Sequence, residues 1–249
     1  MKSIVMKRFV VFSLVACLVA GTGLMAQEKA ADPAKDPRKD YTEAERPEEG
    51  YLARFQAIDV SERLIKENLD QIYMLKVIAS NFKDQGWEKD YQTIYDTYKK
   101  GVGHFYKRDV IYARVELEKN KKEIMDLYKK ISEYYKQQVV QLLSDCADTI
   151  LNLNLDEASR SDPNKNKVVF HNMMRLRIAY GQLDDGQNNF IDGLYANSVL
   201  HYRVAKSYGI RIMEDLDPEK SKGKFEVHKA DNLNRILNPE APKTTTPAK

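Results

Sequence analysis

Between Asp109 and Leu153 the chain has no glycine or proline, and its apolar residues recur at helical spacing throughout. With Ile124 set at zero and about 100° allowed per residue, one stripe forms within roughly 60° of it. It contains Val110, Ala113, Leu117, Tyr128, Ile131, Tyr135, Val139, Leu142, Cys146 and Leu153. The pattern predicts one helix on the order of 65 Å long, longer than a compact domain is wide. A second apolar face appears at its ends, from Ile111 early and from Val140, Leu143 and Ala147 late. Glu118 to Glu123 is polar throughout. The expected fold is therefore all-α and elongated, with a long central helix (109–153) joining two helical packs. Its polar waist, where Lys119 and Lys122 point away from the stripe, is expected to stay open to solvent or a neighbour.

Before this spine, apolar residues from Leu52 to Phe82 keep intervals of three and four, predicting a helix interrupted near Asp59 to Ser61 and ended by Gly86. A second helix runs from Trp87 to Tyr106, and Lys107-Arg108 turns into Asp109, a suitable N-cap. After the spine, Asn154 to Lys167 reads as a loop and a boundary between lobes. Val168 to Tyr180 suits a buried helix, Gln182 to Phe190 has no decisive period, and Tyr195 to Met213 is the last clear helix, loosened by Gly209. The helical domain is thus expected over 51–216. A polar tail follows over 217–249, in which Phe225, Val227, Leu233, Ile236 and Leu237 could dock a short segment.

An internal echo appears at an offset of 89. It pairs Tyr91 with Tyr180, Phe105 with Leu194, Tyr106 with Tyr195, Asp109 with Ser198 and Val110 with Val199. It suggests two tetratricopeptide-like hairpins. No 34-residue period accompanies it, so chance agreement between amphipathic helices explains it equally well.

The N-terminus changes the picture of charge. Lys2, Lys7 and Arg8 precede an apolar run from Phe9 to Ala20, and Ala26 offers a small residue for cleavage. Residues 1–26 are expected to be an export signal, with a flexible leader over 27–50 rich in proline and charge. Leu14-Val15-Ala16-Cys17 also has the spacing of a lipoprotein box. The apolar residues after Cys17 favour soluble export to the periplasm over lipidation. Without the signal, 40 Lys and Arg fall to 37, equal to the 37 Asp and Glu. A neutral mature chain removes the main argument for a nucleic-acid partner. Of the two cysteines only Cys146 remains, with no disulfide partner in its own chain.

Residues arranged for chemistry are few along the chain. His104, His171, His201 and His228 are scattered, with no zinc spacing among them. Gly101-Val102-Gly103 follows no strand and reads as a helix thinned for close packing. Asp184 to Tyr195 has the acidity of a calcium loop but Asn189 where it needs Gly and Tyr195 where it needs Glu. Cys146 lies on the apolar stripe as a small hydrophobe. No catalytic residue, metal or cofactor is expected. The anomaly is tyrosine, with 15 residues against eight Phe and one Trp. Tyr112 and Tyr134 fall about 120° and 80° from the stripe among charged neighbours. They are expected to form a partner-binding face. Tyr95 and Tyr98, with Tyr91 and the second repeat, are expected to line a groove if the chain is an adaptor.

The segment FYKRDVIYARVELEKNKKEI (Phe105 to Ile124), followed by DLYKKISEYYKQQVVQLLSDCADTI (Asp126 to Ile150), resembles the flagellar coiling proteins of spirochaetes. The resemblance covers residues 50 to 215 and rests on Tyr- and Lys-rich helix patterns with a Cys-Ala-Asp step. It implies an exported, non-enzymatic component of the periplasmic flagellar sheath, packed against other sheath proteins or flagellin, that shapes the filament for motility. A periplasmic adaptor binding a peptide or envelope protein is the alternative.

Overall fold

The computed structural model describes residues 41, 42, 47 and 49–231. The expected export signal, Cys17, most of the leader, and Leu233, Ile236 and Leu237 lie outside the described residues. Those described are all-α, in the order α1 (Tyr51–Asn81), a 3₁₀ turn (Lys83–Gln85), α2 (Trp87–Tyr106), α3 (Val110–Leu155), α4 (Glu157–Ser161), α5 (Pro163–Ile191), α6 (Tyr195–Leu216), α7 (Pro218–Ser221) and α8 (Glu226–Ala230). No strand occurs among them.

The spine is α3, 46 residues long, or about 69 Å. The predicted stripe is its buried face: Ala113, Leu117, Ile131, Tyr135, Val139 and Cys146 have no exposed surface, and Leu153 is half-buried against the same core. Along the first half α1 runs parallel to it and α2 antiparallel. Contacts from Ser61 to Val110, Asn68 to Leu117 and Tyr128 to Gln71 set the register. Along the second half α6 runs parallel, from Ser132–Ser198 to Cys146–Gly209, and α5 returns against α6. Two packs therefore share the central helix, as expected, and one hydrophobic cluster runs through both.

The polar waist is only partly open. Lys119 and Lys122 face solvent, but Asn120 has no exposed surface. Its Nδ2 donates to the Ile94 carbonyl at 2.7 Å, and its Oδ1 accepts from Asn68 Nδ2 at 3.0 Å. α1 and α2 both touch α3 here, so one polar position of the waist became a buried hydrogen-bonded seam.

Other boundaries shift for local reasons. α1 is continuous through Asp59 to Ser61, because Ser61 is itself buried on the α3 side. Gly86, at φ 72, starts α2 from the left-handed region. The expected loop 154–167 is largely helix. Asp156 caps α4 through Ser159 N–H at 2.9 Å, and Asp162 caps α5 through Asn164 N–H at 2.9 Å, with Pro163 at the first helical position. Asp109 occupies the N-cap of α3 but makes no side-chain cap bond. Gly209 does not loosen α6; it admits Leu142, whose Cδ2 would lie 2.8 Å from an added Cβ. Residues 217–231, expected as polar tail, fold as α7 and α8 with Phe225 buried and Val227 exposed.

The internal echo is present in the backbone, at a different offset. The α2–α3 and α5–α6 turns repeat the same backbone hydrogen bonds at an offset of 85. Asp109 N–H bonds to His104 O as Leu194 N–H does to Asn189 O, and Arg108 at φ 66 matches Gly193 at φ 76. The sequence match at 89 was one helical turn out of register, which keeps apolar periodicity while shifting every pairing.

Candidate functional site

The four tyrosines expected to meet a partner lie in three different settings. Tyr112 is only 5% exposed, and its hydroxyl donates to Glu49 Oε1 at 2.7 Å. The wheel placed it away from the stripe correctly, but α3 is covered on that side too, so it is not a contact face. Tyr134 is half-buried in an aromatic cluster, edge-on to Trp87 at 5.3 Å and to Phe82 at 5.8 Å between ring centres. Burial raises its pKa. It serves the core where α1 meets α2.

Tyr95 and Tyr98 do come together. They line a groove of about 590 Å³ with Tyr73, Tyr91, Tyr106 and Lys99, but its other wall is α1, packed beside α2, and not the expected second repeat. Tyr98 forms the floor, its hydroxyl donating to the Ile65 carbonyl at 3.1 Å. Tyr91 and Tyr95 stack in parallel at 6.1 Å, because positions four apart share a helix face. Lys99 sits 4.2 Å over the Tyr95 ring. Burial raises the Tyr91 and Tyr98 pKa values, so both keep neutral hydroxyls. The groove offers flat aromatic faces and a cation, suited to an extended peptide.

A second constellation escaped the sequence. Arg203 and Lys206 of α6 are buried, as is Asp231. Arg203 Nη2 bonds Asp231 Oδ1 at 2.7 Å and its Nε donates to the Asp231 carbonyl at 3.0 Å, while Tyr135 donates to the same carboxylate. Asn81 Nδ2 adds a bond at 3.3 Å. Lys206 Nζ has no hydrogen-bond partner among the described residues and lies 3.9 Å over the Tyr135 ring. Burial lowers its pKa to about 8, partly countered by Asp231. Burial and the charge of Lys206 push His228 down to about 4. The network clamps the C-terminal segment onto α1, α3 and α6. Its legible signal was Arg203 and Lys206 interrupting the stripe Val199, Ile210 at i, i+4, i+7 and i+11. Cys146, with burial pushing its thiol up to about 12, donates to the Gly209 carbonyl as part of the core.

The outer surface holds the third feature. α5 was expected to be buried, yet only Val169, Asn172, Leu176, Ala179 and Gly186 are. Phe170 (52%), Met174 (38%) and Ile178 (48%) face outward, because α5 sits at the edge of the bundle with neighbours on one side. The first turns of α1 likewise expose Tyr51 (87%), Leu52 and Phe55. No helix among the described residues is long and apolar enough to cross a membrane. Compared with family models, with curated proteins and with solved structures, the chain matches none.

Proposed function

We propose that this chain is a non-catalytic structural protein of the periplasmic flagellar filament, a sheath or coiling component packed against other sheath proteins or flagellin. The observation that carries the reading is the pair of outward apolar bands, on the first turns of α1 and along α5. Contiguous exposed apolar residues of this kind mark protein-protein contact, and two separate bands suit a chain with more than one neighbour. The resemblance of residues 105–150 to the flagellar coiling proteins makes the filament the assembly. Export through residues 1–26 belongs to the same proposal. Mass spectrometry of purified periplasmic flagella should recover the protein, and its deletion should alter filament curvature. Recovery only from the soluble periplasm, with normally curved filaments in the deletion strain, would sink the assignment.

The tyrosine groove supports a second reading, an adaptor for a peptide or envelope protein. It expects a pull-down with no flagellar component and a bound peptide that shields Tyr91 and Tyr95 from chemical modification.

A further inference from the structure

The exposed face of α5 is not a random scatter of apolar residues. Lys167, Phe170, Met174, Ile178, Gly181 and Asp185 form one stripe at helical spacing, all exposed. It spans about 27 Å. Read from its two ends toward the middle, it is complementary to itself: Lys167 opposes Asp185, Phe170 opposes Gly181, and Met174 opposes Ile178. We propose that this stripe is a self-association surface, on which α5 of a second copy packs antiparallel about a two-fold axis near residue 176. The inference rests on the reading of the chain as an assembly protein and names the partner of one band.

Three observations converge on a second copy as occupant. The first is charge. Only an antiparallel pairing brings the lysine end of one helix to the aspartate end of the other; a parallel one sets like charges together. The second is Gly181. Glycine in a helix interior is destabilising relative to alanine. Gly101, Gly186 and Gly209 each receive a buried side chain from a facing helix, whereas an added Cβ at Gly181 would meet nothing within 4 Å. Seating the Phe170 ring of the second copy gives Gly181 the role that the buried glycines have inside the molecule. The third is the apolar centre, where Met174 and Ile178 of both copies meet, as a two-fold contact requires. Arg177, at the margin of the stripe and exposed, comes near its own symmetry mate and limits the affinity.

A single helix pair falls short of the ~800 Å² per partner of a stable complex. The contact is therefore weak alone and gains strength when repeated in an assembly. Sedimentation velocity of the purified protein should show a concentration-dependent monomer–dimer equilibrium. Phe170→Glu should weaken it by more than about tenfold. Lys167→Glu and Asp185→Lys should each weaken it about threefold, and the two together should restore it. All three positions are exposed, so thermal unfolding should be unchanged. A monomer at every concentration overturns the proposal, as does a dimer indifferent to Phe170→Glu or a charge swap without restoration. A monomeric protein that needs Phe170 to enter flagellar preparations would give the face to a different partner, which also overturns it. A dimer broken by Phe170→Glu in a protein absent from flagella would keep this inference and sink the filament assignment. The opposite pair of results would do the reverse.

Discussion

The α2–α3 and α5–α6 hairpins share their backbone and differ in what they cover. At the 85-residue offset Gly101 lies over Leu117 as Gly186 lies over Tyr202, so each crossing is made close by a glycine opposite a fully buried side chain. The outer positions diverge. Glu118 and Lys121 of the first hairpin are exposed, Lys121 pairing with Glu67 at 3.3 Å. Their counterparts Arg203 and Lys206 are buried beneath Asp231. One scaffold thus carries the same charged positions at a wet face in one copy and in a sealed core in the other. The same pair of positions is nearly neutral for stability in one setting and decisive in the other.

The largest test removes the sealing anion. Asp231→Ala takes the carboxylate from Arg203 and should cost about 3–5 kcal/mol in urea unfolding. Glu67→Ala, at the equivalent wet pair, should cost under about 1 kcal/mol. Equal losses would erase the contrast between the hairpins. Next come the crossings. An alanine Cβ at 186 would sit 2.4 Å from the rigid Tyr202 ring, against 2.9 Å from Leu117 for one at 101. Gly186→Ala should therefore lower stability by about 2–4 kcal/mol and Gly101→Ala by about half as much, each net of a helix-propensity gain near 1 kcal/mol. Thermal melts of the two variants would rank them.

The third test uses pH. Folding lowers the Lys206 pKa from 10.5 to about 8, so between those values the unfolded chain binds the extra proton. Stability should rise as pH goes from about 8 to about 9. Above that, the Cys146 thiol and then tyrosines whose pKa values burial raises, Tyr128 and Tyr135 among them, reverse the trend. Lys206→Met should abolish the rise and stabilise the protein at neutral pH by on the order of 1–3 kcal/mol. An unchanged pH profile would show that Lys206 is solvated. The smallest effect lies in the turns. Arg108 holds φ 66 where its counterpart is Gly193. Arg108→Gly should gain up to about 1 kcal/mol and Gly193→Ala should lose a similar amount.

These contrasts also explain what the sequence could tell. The α3 stripe was legible because a long helix buried along its length repeats one spacing, and Leu117, Ile131 and Val139 all obey it. Tyr112 was not, since a wheel measured from one stripe cannot know that a second wall covers the helix. Asn120 read as surface because its type is usually exposed; its burial depends on Asn68, far away in sequence. Phe170 and Met174 read as core because spacing shows an apolar face without showing whether anything packs on it. Of the candidate site, the Tyr91, Tyr95 and Tyr98 face was visible as a helical spacing. The Arg203–Asp231 clamp was not, because its anion stood in a stretch that composition marks as tail.

Asp231 lies beyond both hairpins, and that orders the steps of folding. Both hairpins are built from contacts between consecutive helices, α2 with α3 and α5 with α6, and neither needs this residue to form. Until it arrives, the α6 guanidinium and ammonium lack the carboxylate that neutralises their site, and the end of the bundle cannot close. A molecule in which residues 217–231 have not docked keeps that end ajar, with the Phe82 face that packs on His228 uncovered. The turn at Asp231 thus acts as a latch that closes this end of the bundle once its two hairpins are in place.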